Sequence, residues 1–277
     1  MNLPSTAPCG PAPALPANAE SAWDPLACFR KYNEFAASLE GWFGPPAIAL
    51  WDALLVFQRE RGIRGPMLEI GVWRGRSAAL LALHAEPNSK LFLCDYKFHG
   101  PSIHRALELA RPDKDLELVR IDGDSTNLHV HDIAREQFRK LRWMHIDGEH
   151  SARAVTSDMR AANTLLAPDG VLVIDDFFSW QYPQVTEAVL RYVRTQPEDF
   201  ALFLCGYNKA YLARPHAVHR YLEYVANDLG DALAARGVDA TLAKTTYPAE
   251  MNTFGVGPRR DGLALRGPDW EERTIRY

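Results

Sequence analysis

An open, doubly wound α/β sheet is the fold class this sequence predicts, and three observations predict it. Five short apolar runs, at residues 67–70, 90–95, 116–121, 142–147 and 170–176, each carry an acid at or beside the carboxyl end. Helix-forming stretches lie between them, as parallel strands joined by crossovers require. Two last apolar runs, 200–205 and 210–214, flank Gly206-Tyr-Asn-Lys209 and read as a hairpin, the antiparallel edge that such a sheet tolerates. The expectation is a mostly parallel sheet of seven strands with N-terminal helices and a C-terminal appendage.

The 277 residues suffice for one sizeable core, which argues for one domain with decorations rather than two equals. Residues 1–20 hold Pro4, Pro8, Pro11, Pro13 and Pro16 among alanines and cannot sustain a helix. They lack the basic start and unbroken apolar core of a secretory signal, so a disordered arm is expected. Residues 21–64 read as a helical cap, because Phe29, Tyr32, Phe35 and Leu39, then Ile48, Leu50, Leu54, Leu55 and Phe57, recur at spacings of three and four. Gly44-Pro-Pro46 splits that pattern in two. Such helices cover a sheet edge, close over a ligand, or merely pack; the pattern fits all three. Residues 65–215 form the ligand-binding domain in this reading. Residues 216–277 carry a helix to about Ala235, then Gly- and Pro-punctuated segments such as Tyr247-Pro and Gly255-Val-Gly-Pro258, and read as a cap or oligomer contact.

The organising stretch is Met67-Leu-Glu-Ile-Gly-Val-Trp-Arg-Gly-Arg-Ser77. It predicts a buried strand, a tight turn at Gly71 and Gly75, and a helix whose N-terminus begins near Ser77. That makes a nucleotide-sized pocket at the carboxyl end of a strand. The loop lacks the middle glycine of the dinucleotide fingerprint G-x-G-x-x-G. Charge narrows the partners further, since 31 Lys plus Arg against 35 Asp plus Glu leave a net charge of −4 with no basic stripe for nucleic acid. No apolar segment is long enough to span a bilayer. Cys9, Cys28, Cys94 and Cys205 have no metal-ligand spacing, and cytosolic thiols, hence a cytoplasmic protein, are the economical reading.

The acids at the strand ends are the candidate site. Asp95 lies about twenty residues past the glycines, where nucleotide-binding α/β folds place the carboxylate that accepts from ribose hydroxyls. Asp124 and Ser125, in the Asp122-Gly-Asp-Ser125 turn, suit the amino group of an adenine or simply make a turn. Asp147 and the Asp175-Asp176 pair end two runs which, as adjacent parallel strands roughly 4.8 Å apart, would face one cleft. Clustered carboxylates repel, and a hard cation, Mg²⁺ before Mn²⁺ or Ca²⁺, is their natural partner. His129 and His131 have no third ligand and read as surface residues, as do Phe98, His99 and His104. His145 reads as a packed core residue, and Asp158 as a helix or loop contact. The rings in Phe177-Phe-Ser-Trp-Gln-Tyr182 either stack on a flat or sugar-like ligand or pack as a lid, and Lys209 lies at the hairpin tip.

The segment Glu69-x-Gly71-x-x-x-Gly75 resembles motif I of the class I S-adenosylmethionine-dependent methyltransferases, in which a carboxylate suits a cofactor with cationic groups and no phosphate. His145-Ile-Asp-Gly-Glu-His150, Asp158 and Leu165-Leu-Ala-Pro-Asp-Gly-Val-Leu-Val-Ile-Asp-Asp176 are similar to the macrocin and novobiocin sugar O-methyltransferases. The resemblance covers roughly residues 41–213 and implies a Rossmann-like fold. It further implies S-adenosyl-L-methionine held by Glu69, Gly71, Gly75, Ser77, Asp95, Asp124, Ser125 and Asp147, and Mg²⁺ held by Asp147, Asp175 and Asp176. Glu149-His150 departs from that group and is similar to a broader small-molecule methyltransferase family with Asp-Gly-Asp-His, in which metal use is uneven. The implied activity is O-methylation of a hydroxyl on a natural-product or sugar-like acceptor in secondary metabolism, with Asp147 or His150 taking the proton. His150 also has a structural reading, as a neighbour of the next helix's N-cap. A metal-independent N- or O-methyltransferase, a nicotinamide oxidoreductase and an inert cofactor-binding protein are the alternatives, and homo-oligomerisation is compatible with all of them.

Overall fold

The computed structural model describes residues 23–111, 115–245, 252–259 and 274–275. The Pro/Ala-rich arm and Tyr247-Pro lie outside the described residues. Helices α1 (Ala27–Phe35) and α2 (Pro45–Glu60) open the chain. Five βα units follow: β1 (Met67–Ile70) and α3 (Arg76–His84), β2 (Lys90–Asp95) and α4 (Gly100–Ala110), β3 (Glu117–Asp122) and α5 (Asp132–Glu136), β4 (Leu141–Ile146) and α6 (Ala152–Leu165), β5 (Leu166–Ile174) and α7 (Pro183–Thr195). The hairpin is β6 (Ala201–Gly206) and β7 (Lys209–Ala213), and α8 (Val218–Asn227), α9 (Leu229–Ala234), β8 (Ala240–Thr245), β9 (Phe254–Pro258) and β10 (Thr274–Ile275) complete it.

These strands make one sheet in the order β10-β8-β9-β6-β7-β5-β4-β1-β2-β3. Neighbours β3, β2, β1, β4 and β5 run parallel, and β7 is antiparallel to β5 and to β6. Alternation along each strand feeds two cores. Met67, Trp143, Val171 and Val173 pack beneath α2 and α3 on one face. Leu68, Met144, Leu172 and Ile174 pack against α6 and α7 on the other. A period of two with both faces apolar is what a central parallel strand needs, and it is why these runs carry little polar residue.

The expectation of seven strands is corrected to ten among the described residues. The C-terminal part is not a separate appendage, because β9 lies parallel to β6 with Leu204 opposite Phe254 and Gly206 opposite Val256, and β8 pairs with β9. The physical reason is the hairpin's outer edge, which would otherwise expose unpaired backbone groups. Gly255 and Gly257 hid β9 from the sequence reading, since glycine weakens any strand signal. The helices after the hairpin are tied inward too: Arg236, just past α9, donates to the fully buried Asp52 of α2 at 2.7 Å, and Asp52 also contacts His84 at 2.7 Å.

The contact between β6 and β9 is close enough to test. A Cβ on Gly206 would stand 2.0 Å from the Val256 carbonyl oxygen, well inside contact distance. Gly206→Ala is therefore expected to detach β9, seen as faster hydrogen exchange over residues 254–258 while residues 67–70 and 141–146 keep their protection. Equal protection of β9 in both proteins would contradict the assignment of β9 to this sheet.

Candidate active site

Strand order reverses at β1, whose following strand β2 lies on one side and β4 on the other. A crevice opens at the carboxyl ends of the strands at such a point. The backbone ladder carries past the strand ends and fixes the loops there: Gly71 N–H donates to Cys94 O, Asp147 N–H to Ile70 O and Asp175 N–H to Ile146 O, at 2.8–2.9 Å. Gly71, at φ +82°, is required by closeness as well as conformation, since a Cβ there would lie 1.9 Å from the Asp147 carbonyl oxygen. A cavity of about 1290 Å³ fills the crevice. That exceeds the roughly 300–1,000 Å³ of an ordinary single-ligand pocket, which leaves room for two reactants.

Gly71, Ser77, Asp95, Asp124, Ser125 and Asp147 all line this cavity. Asp95 Oδ2 accepts from the Val72 and Trp73 amides at 2.7 and 2.9 Å, and Oδ1 from Lys97 N–H at 2.8 Å. The carboxylate thus holds the glycine loop in shape while facing the crevice. Asp124 Oδ1 accepts from Thr126 N–H at 2.9 Å and caps a short 3₁₀ turn.

Two residues expected to touch the cofactor do not line the cavity, and each has a packing reason. Glu69 points to the core side of β1, is fully buried and meets His145 Nδ1 at 2.8 Å. Gly75, left-handed at φ +83°, lets α3 approach α4, where its missing Cβ would lie 3.2 Å from the Ile103 Cα. Lys209 is likewise corrected. Tyr207 and Asn208, both at positive φ, form the two-residue turn, and Lys209 begins β7 with 3% exposure.

The other half of the crevice collects the acids of β4 and β5. Asp176 Oδ2 sits 2.8 Å from His150 Nε2, and Asp147 Oδ1 lies 3.7 Å from the same nitrogen. Tyr182 stacks flat on the His150 ring, with centroids 4.0 Å apart and planes 8° from parallel. Asp176 is left-handed at φ +56°, a conformation that an aspartate tolerates and that aims its carboxylate back at the histidine. Its Oδ1 accepts from Asn208 Nδ2 at 2.8 Å. The neighbouring Asp147 and Asp176 carboxylates raise the His150 imidazole to about 9, and the His150 contact holds Asp176 below the usual carboxylate range. Burial, then the neighbouring Asp175, pushes the Asp147 carboxyl up.

Beneath this triad lies a buried row that the sequence reading did not assemble. Lys209 Nζ is ion-paired to Asp175 Oδ2, and His145 Nε2 stands 3.7 Å from that oxygen. Asp175 Oδ1 accepts from Asp176 N–H at 2.8 Å. Burial pushes the Asp175 carboxyl up, but Lys209 and His145 together outweigh it and hold the group below the usual carboxylate range. His145 is also a packed core residue, edge-on to Trp51 with centroids 4.6 Å apart. Burial lowers its imidazole, while Asp175 and Glu69 more than reverse this and bring it to about 9.

Two histidine and carboxylate groups, Asp147 with His150 and Asp176, and His145 with Asp147 and Asp175, bring ligand atoms within 4.8 Å of one another. Both groups line the cavity, and a divalent cation fits the first. It fits the second poorly, because Lys209 already occupies Asp175. The N-terminal segment completes the wall. Arg76 Nε donates to Phe43 O at 3.1 Å, and Trp42 packs on Trp73 at 4.6 Å. Trp42 and Trp180 are each 87% exposed at the cavity mouth, a state that apolar rings adopt at a price in hydration. Periodicity had left the covering of a ligand as one of three roles for this segment, and neither Arg76 nor Trp42 carried a signal of its own.

Asp158, behind Gly148 and Ser125, is fully buried with neither carboxylate oxygen hydrogen-bonded. Burial raises its carboxyl to about 7. An acid whose folded pKa exceeds its unfolded value is protonated more in the folded state, so stability falls as pH climbs from about 4 to about 7, at about 1.4 kcal/mol per pH unit. Asp158→Asn removes that penalty. Its melting temperature is expected to exceed wild type at pH 8 and to converge on it at pH 4; a constant offset across that range would contradict the assignment.

Residues 68–177 match a family model described as a methyltransferase domain. No curated protein matches the chain. Among solved structures, the chain is similar to the O-methyltransferase NovP, with 14% identity over 69% of this chain and 99% of that one and a TM-score of 0.50. It is also similar to CalS11, a TDP-rhamnose 3'-O-methyltransferase of calicheamicin biosynthesis, with 12% identity over 67% and 92% and a TM-score of 0.49. A third match is MycE in complex with Mg, S-adenosylhomocysteine and mycinamycin VI, with 18% identity over 70% and 55% and a TM-score of 0.48.

Proposed function

We propose that this chain, an S-adenosylmethionine-dependent methyltransferase by the domain at residues 68–177, methylates a hydroxyl of a small, flat or sugar-like molecule. The observation that carries this reading is the Asp147, His150 and Asp176 cluster, set in a cavity large enough for donor and acceptor together and rimmed by exposed rings. Gly71, Ser77, Asp95, Asp124 and Ser125 would hold the donor. The crevice suits it, because the glycine loop admits close backbone approach and acids rather than phosphate-binding groups surround it. When bound, S-adenosylmethionine supplies an electrophilic sulfonium methyl.

The protein's part is to orient the acceptor, exclude water and receive a proton. Asp147, its basicity raised by burial and by Asp175, is the proposed proton acceptor, and the His150 imidazolium, paired with Asp176 through Nε2 and stacked on Tyr182, lies beside it and stabilises its charge. Asp147 and Asp176 would hold Mg²⁺ where one is used, and a cation there would lower the pKa of a coordinated hydroxyl. Trp42 and Trp180 are proposed to cover the acceptor. No described helix is long and apolar enough to cross a membrane. The free thiols of Cys28, Cys94 and Cys205 support a reducing, cytoplasmic setting.

Two measurements test this. S-adenosylhomocysteine is expected to raise the melting temperature, with NAD giving no shift; the reverse pattern would point to an oxidoreductase. In methyl transfer to a panel of phenols and glycosides, His150→Ala is expected to lose roughly 10²- to 10³-fold in rate while S-adenosylhomocysteine affinity stays within twofold. Full activity of that variant would remove His150 from the chemistry.

A further inference from the structure

Resting on the reading of this crevice as the transfer site, we propose that Lys209 is a resident cation of the carboxylate cluster. Its ammonium takes the place of a divalent ion at Asp175 and confines any such ion to a weak site at Asp147 and Asp176.

Every oxygen of Asp175 is already engaged within the protein. Oδ1 accepts from the Asp176 amide, and Oδ2 is paired with Lys209 Nζ, with His145 Nε2 3.7 Å away. Lys209 is not a loose surface lysine. It is 3% exposed, and its ammonium stands 5.6 Å from the Phe43 ring centroid and 5.9 Å from that of Trp51, so two aromatic rings and the Asp175 carboxylate flank it. A divalent ion binding at Asp175 would have to face this fixed positive charge and would strand a buried ammonium, which burial penalises heavily once its partner is lost.

The placement follows from strand register. In the antiparallel pair of β5 and β7, Ile174 lies opposite Ala210, so Asp175 and Lys209 continue the ladder as the next facing residues. A Lys at that position therefore meets the β5 carboxylate by geometry rather than by side-chain reach. Asp176 is likewise bound on both sides, by Asn208 and His150. Asp147, with only the longer contact to His150, is left as the most available oxygen donor facing the cavity. One or two carboxylates without a third make a shallow Mg²⁺ site, since that ion otherwise keeps most of its waters.

The test is Mg²⁺ titration calorimetry on the full chain loaded with S-adenosylhomocysteine, comparing wild type with Lys209→Met, Lys209→Arg and the double variant Asp175→Asn/Lys209→Met. Lys209→Met is expected to bind Mg²⁺ at least tenfold more tightly than wild type, and Lys209→Arg to match wild type within twofold. Structural damage alone would not tighten ion binding. If Lys209→Met does not fold, the charge-balanced double variant Asp175→Asn/Lys209→Met decides: its Mg²⁺ affinity should stay within twofold of wild type, because Asp175 is not a ligand in this scheme and the pair leaves together. A tenfold loss in Asp175→Asn/Lys209→Met, or equal affinities in wild type and Lys209→Met, would overturn the proposal. Failure of S-adenosylhomocysteine to bind the wild type would instead overturn the methyl-donor reading, and Mg²⁺ titration of the unloaded chain would still separate the Lys209 outcomes.

Discussion

The crevice depends on one constraint, the neutralisation of acids that parallel strands bring together. Glu69, Asp147, Asp175 and Asp176 converge where β1, β4 and β5 end. Like charges this close in a poorly hydrated place cannot all remain ionised without cations among them. Lys209 and, when protonated, His145 and His150 supply those cations, each in contact with at least one of the acids. The partners are layered. His145 and Lys209 hold the buried side rigid, while His150 serves the side that opens to the cavity. Removing any one of them leaves a carboxylate facing its neighbours, which is why the site behaves as a unit and not as a set of separable contacts.

That layering explains how one row of acids can do two kinds of work. Asp175 is spent on structure. It is held ionised by Lys209 and in turn anchors the Asp176 amide, whose left-handed backbone presents its carboxylate to His150. Glu69 is spent likewise, fixing the His145 ring through Nδ1. All three aspartates line the cavity, but Asp147 and Asp176 are the two without a lysine partner among the described residues. At the end of β2, Asp95 divides its two oxygens between loop amides and so shapes the glycine turn from below. Backbone strain at Trp73, Asp176 and Phe178, all at positive φ, gathers around the same cavity, as expected where local geometry is held by its surroundings.

Much of this was legible in the sequence for a simple reason. A buried parallel strand must be apolar on both faces, so the five runs declared themselves, and the acid at each carboxyl end marked the crevice. What stayed hidden depends on register and on partners distant in sequence. His145 read correctly as a core ring, but its contact with Glu69, which read as a cofactor ligand, went unseen because nothing local says that β1 and β4 pair with Glu69 opposite His145. Lys209 read as a hairpin tip because a one-residue difference in turn length decides whether a side chain meets water or the core. Strand β9 vanished among glycines for the opposite reason: its pairing comes from the open edge of β6 and owes little to its own composition.

The N-terminal segment shows how a feature without chemistry of its own governs the site. Arg76, at the start of α3, holds the Phe43 carbonyl, and its own carbonyl receives the Tyr32 hydroxyl at 2.9 Å, so the segment is pinned to the helix that follows the glycine turn. That pin fixes Phe43 against Lys209 and sets Trp42 over Trp73 at the mouth. One short stretch therefore touches both layers, closing the buried cation on one side and offering an apolar rim on the other. A ligand that covers the rim would also dry the acids beneath it, and in drier surroundings every contact between Lys209, His150 and the carboxylates strengthens. Closure over the crevice and neutralisation within it are then two consequences of the same packing.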